Sequence, residues 1–126
     1  MNRYMDWLKQ ARRKLESSRW ALEGKFWENS AFDSQQAAEM AAKSLMMAKK
    51  MEYRGHMISK MMKKLDAPIE IVEMAQELDH HYTNARYPDA YDSGVPMEYY
   101  NEKIATKLIE YAECIIKFVE DEIRKL

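Results

Sequence analysis

Hydrophobic residues recur at helical spacing along most of this chain, and no useful length of it alternates with the two-residue period of a strand. The first apolar stripe has spacings of four and three residues, which predicts a helix over about residues 2–23. Its members are Tyr4, Leu8, Ala11, Leu15, Ser18 and Leu22. Gly24 is predicted to end this helix, because many helices end at a left-handed residue and glycine adopts that conformation most readily.

The same periodicity predicts further helices over about 29–53, 57–65, 68–85 and 96–125. The second predicted helix has an inner face made largely of alanine, which would let a neighbouring helix approach closely. Pro88 disfavours helix at the residue before it, so one substantial loop is expected over residues 87–96. The predicted fold is all-α, an antiparallel up-and-down bundle of four to five helices that forms a single domain over residues 1–126.

The last predicted helix has a broad apolar face made of two neighbouring stripes. One stripe is Ile104, Leu108, Tyr111, Ile115 and Phe118, and the other is Ala105, Ile109, Ala112, Ile116, Val119 and Ile123. A face of this width is typical of a helix that is buried on two sides. Two explanations stay open: the helix is the most central one of the bundle, or its outer side packs against a second subunit.

The net charge and its distribution along the chain limit the ligands that the protein is expected to bind. The net charge of −1 provides no global attraction to nucleic acid or to an acidic membrane, so polyanion binding needs a local patch. Basic residues greatly outnumber acidic ones between Lys49 and Lys64, whereas the segment from Glu70 to Asp79 contains acidic residues and no basic ones. The basic segment is interpreted either as a phosphate- or RNA-binding patch or as a solvated face that balances its acidic neighbour.

Several features favour a cytoplasmic protein that does not enter a membrane. No apolar run approaches the roughly 20 residues of a membrane-spanning helix, and the first residues lack the apolar core of a signal peptide. Cys114 is the single cysteine, which excludes a disulfide within the chain. Its apolar neighbours predict a buried structural thiol. Ser30, Ser34, Ser44 and Ser59 are interpreted as caps or helix-surface residues.

Residues 79–92 form the window richest in groups that titrate, stack or donate hydrogen bonds. His80 and His81 are adjacent, so on a helix they point about 100° apart and are poorly placed to share a metal. No metal site and no cofactor is therefore predicted. Arg86 lies four residues after Tyr82, which places both on one helix face.

Arg86 has two compatible interpretations. In the structural one, it pairs with Asp89 across the turn and binds free carbonyls at the helix end. In the functional one, Arg86 binds phosphate while Tyr82, Tyr87 or Tyr91 stacks on a base.

Two motifs in a fixed order connect the chain with a known family. Gln35-Gln36-Ala37-Ala38-Glu39 lies on the second predicted helix, and Arg86-Tyr87-Pro88-Asp89 follows the fourth. His56 stands just before the third helix, and the helix over residues 105–116 completes the pattern. With these features nearly the whole chain resembles the HEPN domains (higher eukaryotes and prokaryotes nucleotide-binding).

The resemblance implies a helical bundle that forms a homodimer and pairs with a minimal nucleotidyltransferase, as in prokaryotic toxin–antitoxin modules. Many members of the family are metal-independent ribonucleases with an arginine followed four to six residues later by a histidine. This chain lacks that spacing, since Arg54 precedes His56 by two residues and no histidine follows Arg86.

Three functional hypotheses follow. The first is a dimeric, HEPN-like protein that binds a nucleotide or RNA and belongs to a toxin–antitoxin-type module with a minimal nucleotidyltransferase. The second is a metal-independent ribonuclease toxin that uses Arg86 and His81, and the third is a structural bundle that binds a partner through its last helix. The candidate ligand-binding residues are Arg86, Tyr87, Asp89, Tyr82 and His81, with Lys43 and His56 at the periphery.

Overall fold

The structure is a computed structural model that describes residues 2–126, and the regular structure in this range is entirely helical. The α-helices are α1 (Tyr4–Glu23), α2 (Trp27–Ala48), α3 (Ile58–Lys64), α4 (Ile69–Asp79), α5 (His81–Asn84) and α6 (Glu102–Arg124). Short 3₁₀ turns at Pro88–Ala90 and Pro96–Tyr99 lie between α5 and α6. The predicted all-α bundle is confirmed. The expected helix over 68–85 is interrupted at His80, which separates α4 from α5.

Helix α2 lies at the centre of the bundle. α1 and α6 both pack along it and also touch each other, while α3 and α4 form a hairpin that contacts α2 and α6. Both apolar stripes of α6 are therefore covered by the chain itself: their residues are either buried or packed against the core. The width of the α6 face thus needs no second subunit to explain it.

Three helices end in a left-handed residue that is not glycine: Lys25 after α1, Lys50 after α2 and Asp66 after α3. Each end has the hydrogen bonds of a Schellman motif, such as Phe26 N–H to Ala21 O at 2.9 Å. Helix α1 ends at Gly24 as predicted, but the reason given was wrong: Gly24 has a φ of −79°, which is right-handed, and the left-handed residue is Lys25. The same motif ends α2 at Ala48, earlier than predicted.

Glycine in place of Lys25 is expected to stabilise the protein by about 0.5–1 kcal/mol. The Cβ of Lys25 opposes the left-handed conformation that the motif requires, and glycine removes this penalty at the expense of greater freedom in the unfolded chain. Thermal denaturation of Lys25→Gly measures the change. Lys25→Ala, which keeps the Cβ, is the control, and equal melting temperatures for the two variants would contradict the explanation.

Small polar residues lie between α1 and α2, where the two helices approach closely. Ser18 is buried and donates its hydroxyl to the Ser30 carbonyl at 2.8 Å, and its oxygen lies 2.6 Å from that of Ser34. Ser44 reaches the Tyr4 carbonyl at 2.8 Å. The interpretation of these serines as surface residues is therefore wrong, because side chains this short bond across the interface only when the backbones are close.

Two further expectations concern the thiol of Cys114 and the absence of a membrane-spanning helix. Cys114 is exposed on α6, so the predicted buried thiol is wrong: its neighbours Ile115 and Ile116 face the core and turn it outward. In the part of the chain that the structure describes, no helix is both long and apolar enough to span a membrane.

Candidate functional site

The guanidinium of Arg86 is surrounded by aromatic rings. Its central carbon lies 4.4 Å from the ring centre of Phe32, 4.5 Å from that of Tyr82 and 4.6 Å from that of Tyr87. Arg86 lies in the turn that follows α5, and its Nε donates to the carbonyl of Tyr82 within α5 at 2.7 Å. The terminal nitrogens have no protein acceptor within residues 2–126. Arg86 is thus held in place while its two terminal nitrogens stay available to an anion.

Tyr82 connects Arg86 to His56. The His56 ring stacks on the Tyr82 ring at 4.5 Å with an interplanar angle of 17°. A stacked imidazole covers one face of the phenol ring, so the guanidinium occupies the other. Residues that are far apart in the sequence, His56 before α3 and Arg86 after α5, therefore meet on the two faces of one side chain.

A buried carboxylate on α2 holds His56 in position. The Glu39 side chain is almost fully buried, and its Oε2 accepts from His56 Nδ1 at 3.0 Å and from Lys43 Nζ at 2.9 Å. Its Oε1 accepts from Gln35 Nε2 at 3.0 Å. This bonding fixes the imidazole and directs its other nitrogen away from the carboxylate.

The sequence contained a signal for this network. Gln35, Glu39 and Lys43 follow one another at intervals of four residues, which places them in a row on one face of α2. Glu39 and Gln35 belong to the motif that carried the family resemblance, yet they were not among the predicted site residues. Neither was Phe32, whose contact with Arg86 depends on how α5 packs against α2.

A groove of about 690 Å³ opens beside the stacked rings. His56 and Tyr82 form one end of it, and Lys60 and Lys63 of α3 line one wall. Neither lysine forms an ion pair within the described residues. The other wall is Gln76, Asp79, His80 and Thr83.

The one carboxylate of the groove is already bonded to the protein. Asp79 accepts from the backbone N–H of Ile58 at 2.7 Å and from the Ser59 N–H and hydroxyl at 3.2 and 2.6 Å, so it caps the start of α3. Burial raises the pKa of Asp79, against the opposing effect of these hydrogen bonds. The two lysines outnumber this single carboxylate, so the side chains that line the groove have a net positive charge.

Two of the predicted site residues lie outside this arrangement. His81 is hydrogen-bonded through Nδ1 to the Tyr100 hydroxyl at 2.6 Å, and its ring packs edge-on against the Tyr100 ring. Burial lowers the pKa of His81 to about 4 and raises that of the Tyr100 phenol, so both are neutral near pH 7. Asp89 is exposed and forms no ion pair with Arg86 within residues 2–126, in contrast to the expected pairing.

The other five candidates, Arg86, Tyr87, Tyr82, His56 and Lys43, are brought together. Their arrangement defines a class: a helical bundle with a preorganised arginine, stacked aromatic side chains and an adjoining basic groove. The family model described as the HEPN domain matches residues 4–122, and the chain belongs to the HEPN family.

Solved structures agree with this assignment. TT1696 from Thermus thermophilus is similar with a TM-score of 0.93 and 36% identity, covering 97% of this chain and 99% of its own. ST0689, described as an archaeal HEPN homologue, has a TM-score of 0.87 and 43% identity, covering 98% of this chain and 99% of its own. A HEPN domain protein from Thermotoga maritima has a TM-score of 0.78 and 31% identity, covering 96% of this chain and 99% of its own.

A more distant relative is named for a biological role. The protein called "Putative toxin MJ1304" from Methanocaldococcus jannaschii is 21% identical over 131 residues, which cover 94% of this chain and 86% of that protein.

Proposed function

We propose that this HEPN protein is a component of a toxin–antitoxin-type module and binds a nucleotide or RNA at Arg86 and the adjoining groove. The module role is supported by the name of the relative from M. jannaschii. The protein acts as a homodimer and pairs with a minimal nucleotidyltransferase. The observation that carries the binding proposal is the arginine held among three rings with its terminal nitrogens unused.

The chemistry of the site suits a phosphate next to a base. An arginine fork matches the geometry of phosphate oxygens, and its usual entropic cost of ordering is reduced because Nε and the flanking rings already fix it. Tyr87 lies beside the guanidinium with 46% of its surface exposed, which leaves ring surface for stacking. The lysines at positions 60 and 63 extend the positive potential along the groove.

Titration of the protein with single-stranded RNA tests this proposal. Arg86→Gln is expected to weaken binding by about 10- to 100-fold, since a charged hydrogen bond contributes roughly 1.5–3 kcal/mol. The double variant Lys60→Gln, Lys63→Gln is expected to weaken it by about tenfold and to reduce its salt dependence. Circular dichroism verifies that each variant is folded.

Lys9→Gln, Lys103→Gln is the matched control, because it removes two exposed lysines that do not line the groove. Equal losses in the two double variants would show that only net charge matters. Failure of the wild-type protein to bind any RNA or mononucleotide would overturn the proposal.

A second candidate function is metal-independent RNA cleavage, and the His56–Glu39 contact is the observation that favours it. An imidazole bonded to a carboxylate can take a proton from the ribose 2′-hydroxyl through its other nitrogen as the 2′-oxygen attacks phosphorus. The imidazolium then returns this proton to the departing 5′-oxygen, while Arg86 stabilises the phosphorane charge. The geometry favours His56 over His81 for this role, because His81 is engaged by Tyr100. Denaturing gels of the titrated RNA detect cleavage, which His56→Gln should abolish. If the RNA stays intact, the cleavage candidate is contradicted and only the binding proposal remains.

A further inference from the structure

A second cavity, of about 340 Å³, is lined by Lys43, whose ammonium also bonds to Glu39. It is formed where the start of α1, the last turns of α2 and the segment after α2 meet. Its aromatic members are Trp7 and Tyr53, and three methionines line much of the remainder: Met46, Met47 and Met51. We call it the Trp7–Tyr53 cleft.

Local backbone structure builds the walls of this cleft. The left-handed Lys50 and the hydrogen bond from Met51 N–H to Met46 O at 2.8 Å turn the chain back toward α1. Gly55 has a φ of +142° and lies so close to Tyr53 that an added Cβ would stand 3.1 Å from the phenol oxygen. The Lys64 ammonium lies 5.6 Å from the centre of the same ring. The Tyr53 ring therefore lies against the backbone of Gly55, where a larger residue would crowd it.

The edge of the cleft is cationic. Lys43 and Arg54 both line it, and Arg54 forms no ion pair with a carboxylate in the described part of the chain. Trp7 leaves 38% of its surface exposed, so part of its ring is accessible to a ligand. Aromatic walls, polarizable methionines and an unpaired guanidinium are complementary to a flat base that is joined to an anionic phosphate.

We propose that the Trp7–Tyr53 cleft binds the purine base of the nucleotide ligand, with a phosphate of that nucleotide at Arg54. The inference rests on the proposed function and adds a second base site to the stacking surface of Tyr87. A bicyclic purine offers more stacking surface than a pyrimidine, and 340 Å³ is near the lower end of the volumes of small-ligand sites. Lys43 belongs to both the cleft and the Glu39–His56 network, so the next phosphate of an oligonucleotide passes toward His56 and Arg86.

Fluorescence of Trp7 tests the proposal. The chain has three tryptophans, and Trp20→Phe, Trp27→Phe leaves Trp7 as the single one. AMP is expected to change the emission of this variant saturably, UMP to do so with about tenfold lower affinity, and ribose 5-phosphate to leave it unchanged. A variant that retains only Trp20, which is 79% exposed, is the control and should show no saturable change.

Calorimetry with AMP provides the second measurement. Trp7→Leu is expected to lower AMP affinity about tenfold or more, because stacking of one base contributes that order of binding free energy. AMP binding that is lost in Arg86→Gln but unchanged in Trp7→Leu overturns the cleft and leaves the proposed function intact. An equal response to ribose 5-phosphate and AMP assigns the cleft to phosphate and overturns base recognition. If neither AMP nor RNA binds to the wild-type protein, both proposals fail.

Discussion

Acidification from pH 7 to pH 4 is expected to destabilise the protein by about 2–3 kcal/mol through one side chain, His81. Burial lowers its pKa from 6.5 to about 4 in the folded protein. Between these two values the unfolded chain binds a proton that the folded protein does not bind, so the stabilisation is complete above pH 6.5 and is lost as the pH falls toward 4. At about 1.36 kcal/mol per pH unit the loss has an upper limit of roughly 3.4 kcal/mol, which partial solvent access reduces.

Urea denaturation at a series of pH values measures this loss. His81→Asn should remove it, because an amide can donate to or accept from the Tyr100 hydroxyl but does not titrate. His80→Asn is the matched control: His80 is exposed and its charge has only a secondary effect on the pKa of His81, so its replacement should preserve most of the pH dependence of the wild-type protein. A wild-type slope between pH 6.5 and 4 in His81→Asn would show that another group is responsible.

A nearby carboxylate acts in a different pH range. The hydrogen bond from Lys107 at 2.7 Å lowers the pKa of Glu77 below its usual 4.5. Its contribution is therefore complete above pH 4.5 and lost only as the solution becomes more acidic than that. Both histidine variants keep this carboxylate, so the difference between them isolates the imidazole.

The periodicity of apolar residues was enough to locate the helices, because each helix must bury one face and that need sets the spacing of its side chains. The helix ends were less predictable. Lys25, Lys50 and Asp66 adopt the left-handed conformation although none of them is glycine, so the residue type that usually marks such an end was absent. Each end is closed by the backbone hydrogen bonds of a Schellman motif, which form here without the glycine that usually marks them.

The candidate site was likewise predictable only in part from the sequence. Tyr82 and Arg86 were placed on one face from their spacing, and the structure brings them together. The partners across the bundle were not predictable: His56 reaches Tyr82 only because the α3–α4 hairpin folds back, and Glu39 reaches His56 only through the packing of α2. Arginine and histidine thus meet in space without the short sequence spacing that the family resemblance led us to look for.

Leucine at position 41 is expected to destabilise the protein by about 3 kcal/mol, a substantial part of the stability of a domain of this size. Ala41 is fully buried and lies on the stripe of α2 that includes Ser34 and Ser44, whose hydroxyls bond to Ser18 and the Tyr4 carbonyl of α1. Those contacts require the two helix backbones to be close. A leucine between them has no space unless α1 moves away and these hydrogen bonds break.

Denaturation of Ala41→Leu measures this effect, with Ala48→Leu as the matched control. Ala48 continues the same stripe at the last residue of α2 but is only partly buried, so its enlargement should change stability by less than about 1 kcal/mol. Similar values for the two variants would mean that α1 and α2 are not closely packed at position 41.

The distance between α1 and α2 also matters for binding, because α1 provides Trp7 and α2 provides Lys43 to the same cleft. Displacement of α1 in Ala41→Leu should therefore weaken AMP binding even under conditions where the variant remains folded.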